Sequence, residues 1–448
     1  MKKVMLIAYH FPPVRVSSGL QRTLSFARDL REHGWLPMVL SIHPRSFAAT
    51  SDGQMMDIPS DVDVVRALGW DTARHLSING KYWGPMALPD RWVSWWFGGV
   101  FSGLKMILQK KPKIIFSTYP IATAHLIGLT LHKLTRLPWI ADFRDSMTED
   151  HYPREIRRRR VFRWIERMTI HNCCRAIFTT PSALEMYRQR YPEIDESVWV
   201  LIPNGFNEDI FRQVEETLNS GGASGGDRGS YTDGAKLSSV APNHTKKSGD
   251  DITSPIRPKQ SSQITLLHSG VLYPSERDPN PFFRALSSLK REGEIDAGRL
   301  KIVLRATGHD DLYRSTLVQL DISDLVVLSD AIDYRAALLE MFEVDGLLVF
   351  QSSGCNHQIP AKIYEYFRAK KPIFSLTDEN GDTAAVLKGA GLDDIVPLDD
   401  ETQIRDGFFA FWQKLQAGSA AVANAAVTEQ YSRQYASKRL AEVVESIG

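Results

Sequence analysis

Three cysteines in 448 residues are too few for a disulfide framework, and two of them are adjacent, at 173 and 174, so they form no Cys-x2-Cys metal pair. A reducing cytoplasm is the compartment expected for such a chain. Neither sign of charge prevails: 54 Lys and Arg against 53 Asp and Glu leave no global field for nucleic acid or a strongly charged partner. Long hydrophobic runs are missing too. No segment reaches the roughly 18 uninterrupted apolar residues that a membrane span needs, and the nearest candidate, Trp92 to Leu108, is broken by Gly98, Gly99, Gly103 and Lys105. The chain also lacks the GxGxxG fingerprint of dinucleotide enzymes and the GxxxxGK[ST] loop of ATPases, which lowers both classes. No HExxH or cysteine cluster occurs, and the histidines at 10, 125, 268 and 357 are scattered. The DxD pattern Asp61-Val-Asp63 lies far from any cleft loop, so no metal site is expected.

What is present is an alternation of short β-rich runs with helical patterns, the signature of a mostly parallel sheet covered on both faces. The apolar run Val4 to Ala8 meets Tyr9-His-Phe-Pro-Pro13 instead of a cleavage site, so it is predicted to be a first strand and not a signal peptide. Further strands are predicted at 37–41, 113–117, 139–142, 176–180 and 198–202, with a helix from Leu20 to His33 that ends at Gly34. From about Glu215 to Gln263 the composition turns to Ser, Gly, Thr, Lys and Pro, with little to fill a core, and disorder is expected there. The pattern resumes with strands at 264–267, 301–306, 325–328, 346–350, 372–375 and 394–397 and helices near 280–291, 313–320, 334–342 and 361–369. The reading is an α/β chain of two comparable units. Residues 1–212 form the first and 264–423 the second; 213–263 join them, and a helical segment, 424–448, is free to pack on either.

Open α/β sheets bind ligands outside the carboxyl ends of their strands, so the loops there hold the candidate residues. Gly19, just before a helix, lets backbone amides approach an anion, or is a tight turn. Asp142-Phe-Arg-Asp145 ends a strand; one of its carboxylates meets acceptor or sugar hydroxyls, or the loop is salt-bridged. In the second unit His268-Ser-Gly270 closes the first strand, with Arg277 soon after, a strand, glycine and cation arrangement able to neutralise a diphosphate. Arg305, on the next strand, reaches the same anion or is a satisfied edge residue. Pro360-Ala-Lys-Ile-Tyr-Glu-Tyr366 places Lys362 and Glu365 in the first turn of a helix, a cation and a carboxylate suited to a polyhydroxylated anion such as a sugar nucleotide. His357 precedes Glu365 by eight positions across a loop, so only a shared ligand would bring the two together.

Two stretches raise a membrane question. Arg154 and Arg157 to Arg160 lead into an amphipathic helix ending at Ile170, and Trp83, Trp92, Trp95, Trp96, Phe97 and Phe101 crowd another segment. Either these are a solvated helix and core aromatics, or they meet anionic lipid.

Taken together, Tyr9-His-Phe-Pro-Pro13, Ser18-Gly19-x-x-Arg22, Asp142-Phe-Arg-Asp145, Ile202-Pro-Asn-Gly-Phe206 and Pro360-x-Lys-x-x-Glu-Tyr366 resemble the family-4 glycosyltransferases, in particular the bacterial group that builds polysaccharides and envelope glycans. The resemblance spans nearly the whole chain outside 215–263 and implies the GT-B architecture, two Rossmann-like domains facing across a cleft. It implies a nucleoside-diphosphate sugar as donor substrate in the second domain, a glycan or lipid-linked acceptor in the first, retention of configuration, and neither a metal nor another cofactor. It further implies that Gly19 lies near the donor phosphates, that Arg277 is a diphosphate-binding cation and that Glu365 is the second glutamate of an E-x7-E pair, near the ribose. His125 matches a histidine near the transferred sugar, and His357 stands where the first glutamate belongs. A cytoplasmic protein at the inner face of the membrane is the implied setting. A sugar-nucleotide epimerase and a catalytically inert scaffold of a glycan-assembly complex are the rival readings of the same shape.

Overall fold

The computed structural model describes residues 1–15, 18–149, 152–221 and 263–447. Seven strands, β1 (Lys2–Ile7), β2 (Trp35–Ile42), β3 (Asp63–Ala67), β4 (Ile114–Thr118), β5 (Trp139–Asp142), β6 (Arg175–Phe178) and β7 (Trp199–Leu201), form the first sheet. Six more, β8 (Ile264–Ser269), β9 (Leu300–Arg305), β10 (Val326–Ser329), β11 (Gly346–Phe350), β12 (Ile373–Leu376) and β13 (Ile395–Val396), form the second. Every pairing is parallel, in the orders β3-β2-β1-β4-β5-β6-β7 and β10-β9-β8-β11-β12-β13. Both orders reverse direction once, between β1 and β4 and between β8 and β11, and that reversal opens a ligand crevice at the carboxyl ends. Strands buried on both faces explain the continuous apolar runs: Val4 to Ile7 and Gly346 to Phe350 are buried without a break.

In the fold, sequence and structure part in two places. β3 went unread because Asp63-Val-Val-Arg-Ala67 opens on a charge and sits at a sheet edge, where burial is partial. The carboxylates of its DxD pattern are occupied, Asp61 by Arg31 at 2.6 Å and Asp63 by Lys110 at 3.1 Å. The polar tract expected from 213 begins instead inside a helix, Glu208–Gly221; the remainder of the tract, 222–262, lies outside the described residues. That helix buries Ile210, Phe211 and Val214 among Leu267, Leu338 and Tyr364 of the second unit. Arg368 clamps it by donating to two carboxylates at once, Glu208 at 2.7 and 3.0 Å and Glu215 at 2.8 Å on each oxygen.

The chain returns to the first unit at its end. The helix Arg433–Glu445 lays Ala436, Leu440, Ala441 and Val444 against Val4, Leu6, Leu24 and Trp35. The outward and return crossings touch: a Cβ on Gly205 would lie 2.1 Å from the Tyr431 carbonyl, and the Arg433 amide donates to the Phe206 carbonyl at 2.8 Å. A glycine is needed there for close approach alone.

Candidate active site at the second switch point

β8 pairs with β11 only as far as Leu267↔Leu347, yet stays on β9 through Ser269↔Arg305. The strands therefore separate at His268, and side chains take over the bonds that the ladder gives up. The Ser269 amide donates to the Tyr366 hydroxyl at 3.2 Å, and His268 Nδ1 lies 2.9 Å from the Leu348 carbonyl. A carbonyl only accepts, so Nδ1 carries the proton and Nε2 is left as an acceptor. Lys362 Nζ donates to it, 3.2 Å from His268 Nε2. Burial first, and the ammonium second, hold the His268 imidazolium well below its usual range, in keeping with a neutral ring.

Lys362 opens the helix Lys362–Ala369, and its position is set from the opposite side by Gly270. A Cβ on Gly270 would lie 2.8 Å from Nζ, and its φ of +125° is one that side chains rarely adopt. Burial pushes the Lys362 ammonium down to about 7, Arg277 adds to the fall, and Glu365 opposes it. Arg277 comes from the loop after β8, where its guanidinium lies over the Tyr273 ring at 5.8 Å and donates to the Val271 carbonyl at 3.3 Å. Two cations thus repel one another at the mouth of the crevice, an arrangement that an entering dianion relieves.

Glu365, one turn along, accepts from the Tyr334 hydroxyl at 2.7 Å and lies 4.0 Å from Arg433 on the returning C-terminal helix. Burial raises its carboxyl, with Arg433, Tyr334 and Lys362 all acting the other way. His357 is half-buried; its ring makes no hydrogen bond among the described residues, while its carbonyl accepts from Thr180 of the first unit at 2.8 Å. Ser182 adds a second tie, its amide and hydroxyl both donating to Asp382 at 3.0 and 2.7 Å.

Arg305 belongs elsewhere. Its guanidinium pairs with both oxygens of Glu340 and donates to the Asp330 carbonyl at 2.6 Å, so it is the satisfied residue and not an anion ligand.

At the first switch point Gly19 is the second residue of the helix Ser18–Asp29, and a Cβ there would lie 2.2 Å from Arg144 Nη1 and 3.1 Å from His10 Nδ1. Arg22 is bidentate to buried Asp142 at 3.2 and 3.0 Å and donates to the carbonyls of Ile202 and Pro203. Asp142 is therefore structural, and Asp145 is the exposed carboxylate of the pair. His125 overturns an expectation. Its helix, Ala122–Thr135, turns position 125 toward the sheet, where the ring is 0% exposed between Tyr119, Trp139 and Phe143 and bonds Ser117 at 2.8 Å. It reaches no cleft and touches no sugar there. The histidine at this crevice is His10, which follows β1 and is kept neutral by burial and by Arg144, its imidazolium pushed down to about 4. His10 and His268 were both visible in the sequence, but only the crevice geometry separates them from the other histidines.

Residues 19–205 match the family model described as a glycosyl transferase 4-like domain. The match lies within the first half of this chain. No curated protein sequence matches the chain. Among solved structures, HepE from Anabaena in complex with UDP superposes with a TM-score of 0.63 at 12% identity, covering 100% of each chain. Sucrose-phosphate synthase from Thermosynechococcus elongatus gives 0.62 at 11%, covering 100% of this chain and 99% of the other. UDP-GlcNAc 2-epimerase from Neisseria meningitidis bound to UDP-GlcNAc gives 0.50 at 12%, covering 100% of each. The architecture is GT-B: two parallel-sheet Rossmann-like halves, as the resemblance implies.

Proposed function

We propose that the chain is a retaining glycosyltransferase that moves a sugar from a nucleoside-diphosphate sugar to a glycan or lipid-linked acceptor, in envelope or exopolysaccharide synthesis. One observation carries the reading: at the second switch point the Lys362 ammonium lies against Gly270, repelled by Arg277 from the loop that follows, with Glu365 the carboxylate that acts on it. That is the electrostatic pattern of a pyrophosphate cradle. The 4-like domain and the UDP and UDP-sugar complexes of its structural neighbours support the same assignment.

In this reading Lys362 and Arg277 offset the charge that develops as the diphosphate departs, and His268 aims the ammonium. Glu365, braced by Tyr334, takes the ribose hydroxyls, and His357 meets a hydroxyl of the donor sugar. Asp145 faces the acceptor, whose hydroxyl enters from the leaving-group side and passes its proton to a phosphate oxygen. No residue of this set demands a metal. The contacts of Thr180 and Ser182 with the second half bring both halves onto one cleft, which keeps water from the donor.

The test is a thermal-shift screen of nucleoside diphosphates and their sugars with EDTA present, followed by product detection with a lipid extract as acceptor. Stabilisation by a nucleotide sugar and an extended lipid-linked product are expected. Interconversion of the free nucleotide sugar with no acceptor would make the chain an epimerase, the function named for one neighbour of the same fold. Binding that never leads to turnover would make it an inert scaffold.

A further inference from the structure

We infer that the first half docks on an anionic membrane surface through the outer face of the helix Trp95–Lys110 and the segment that precedes it. A surface helix normally turns one apolar stripe inward and a polar one outward. This helix has two apolar stripes. Trp95, Gly99, Gly103 and Met106 face the core, while Phe97, Phe101 and Leu108 stand 71–76% exposed on the opposite side with Lys105 between them.

The outer stripe extends beyond the helix. Gly98 lets the helix approach the preceding segment so closely that a Cβ there would lie 2.1 Å from the Leu68 carbonyl, and Ser94 bonds the Trp70 backbone at 2.9 and 3.0 Å. Leu68 and Trp70, exposed by 55 and 39%, therefore extend the patch. Isolated exposed apolar residues are ordinary, but a contiguous aromatic patch marks an interaction surface.

Charge decides the occupant. From 68 to 111 the chain holds six Lys or Arg and two Asp, and both of these, Asp71 and Asp90, are buried. The cations Lys81, Lys105 and Lys111 are exposed, and Arg45 lies over Trp70 at 5.1 Å. A second helix of the same character flanks the first across Ala122–Thr135. Ile156–Ile170 exposes Ile156, Arg157, Arg160, Arg163 and Trp164, and its Arg158 lies within electrostatic reach of Asp90. Cations outnumber acids around these aromatics, and the exposed acid beside the helix, Asp63, is paired with Lys110 at 3.1 Å. That surplus matches an anionic bilayer, whose headgroups attract the cations while the rings enter the interface. None of the described helices is long and apolar enough to cross a membrane, so the contact lies on the surface. Resting on the transferase reading in this last step only, the surface selects among its acceptors: it favours the lipid-linked one, delivered from the bilayer to the half that holds Asp145.

The test is flotation of the full chain with vesicles of phosphatidylcholine, alone or with about one third phosphatidylglycerol. The parent is expected to float with the acidic vesicles, less so as salt rises, and to stay behind with phosphatidylcholine alone. Phe97→Ser, Phe101→Ser and Leu108→Ser together are expected to weaken flotation at least about tenfold, and Lys105→Glu by a few-fold. Because these side chains are exposed, melting temperature and its shift by UDP are expected to stay at the parental values. A parent that ignores acidic vesicles, or a triple variant that floats as well as the parent, overturns the proposal. So does a parent that dimerises without lipid and becomes monomeric on the triple substitution, which would assign the patch to a second copy. Because UDP binding is read separately, a failed transferase reading leaves the flotation result standing, and the reverse holds too.

Discussion

The two switch points share one strand topology and differ in what fills them. Between β1 and β4 the protein closes the crevice with its own groups: Arg22 is spent on Asp142, and the Arg144 guanidinium lies against Gly19 and donates to the Tyr119 carbonyl at 3.3 Å. Between β8 and β11 the corresponding space is bounded by Gly270, and the cations there face each other. A buried Arg–carboxylate pair holds a loop in place, whereas cations without a matching anion hold a place for one. Under the proposed function the donor anion belongs to the second half, and the first is left for the acceptor.

The sharpest break of this comparison is Asp142→Ala, which strands Arg22 in a buried site. A loss of about 3–5 kcal/mol is expected, read from the urea midpoint; a loss under about 1 kcal/mol would deny the pair its structural role. Next come Lys362→Ala and Arg277→Ala, each expected to lower turnover and UDP affinity at least about tenfold with the melting temperature held. Near-parental values in both would remove the diphosphate from this crevice.

Proton linkage sharpens the contrast further. The free Lys362 ammonium gives up its proton at about 7, and a bound diphosphate requires it charged. Binding therefore takes up a proton above that pH, and affinity falls as pH rises, by up to about tenfold per unit. Calorimetry at pH 8 in buffers of different ionisation heat measures the uptake, and Lys362→Arg is expected to flatten the profile. The smallest effect belongs to Arg305→Met. With Glu340 as its partner, its removal is expected to leave UDP affinity within about twofold while costing some stability.

Much of the fold was legible because parallel strands buried on both faces are written as unbroken apolar runs, and β5, β11 and the helix Asn280–Arg291 fall where the pattern predicts them. What could not be read were the features decided between elements. The half-polar edge strand β3 lacks the apolar signal, and the helix Glu208–Gly221 gains its meaning only from Arg368, some 150 positions away. At the site, the local string Pro360 to Tyr366 pointed to Lys362 and Glu365, but the groups that hold them, His268, Tyr334 and Arg433, come from three distant stretches. His125 was misread for a related reason. A histidine at a strand-to-helix junction looks the same in sequence whether its helix turns it to the cleft or to the core, and only the packing of Trp139 and Phe143 decides.

The return of the chain's last helix to the first sheet leaves Arg433 on the body of one sheet and Glu365 on that of the other. The two approach to 4.0 Å, one carried by each body. The carboxylate proposed for the ribose is thus held by a group that arrives only with the chain's last helix.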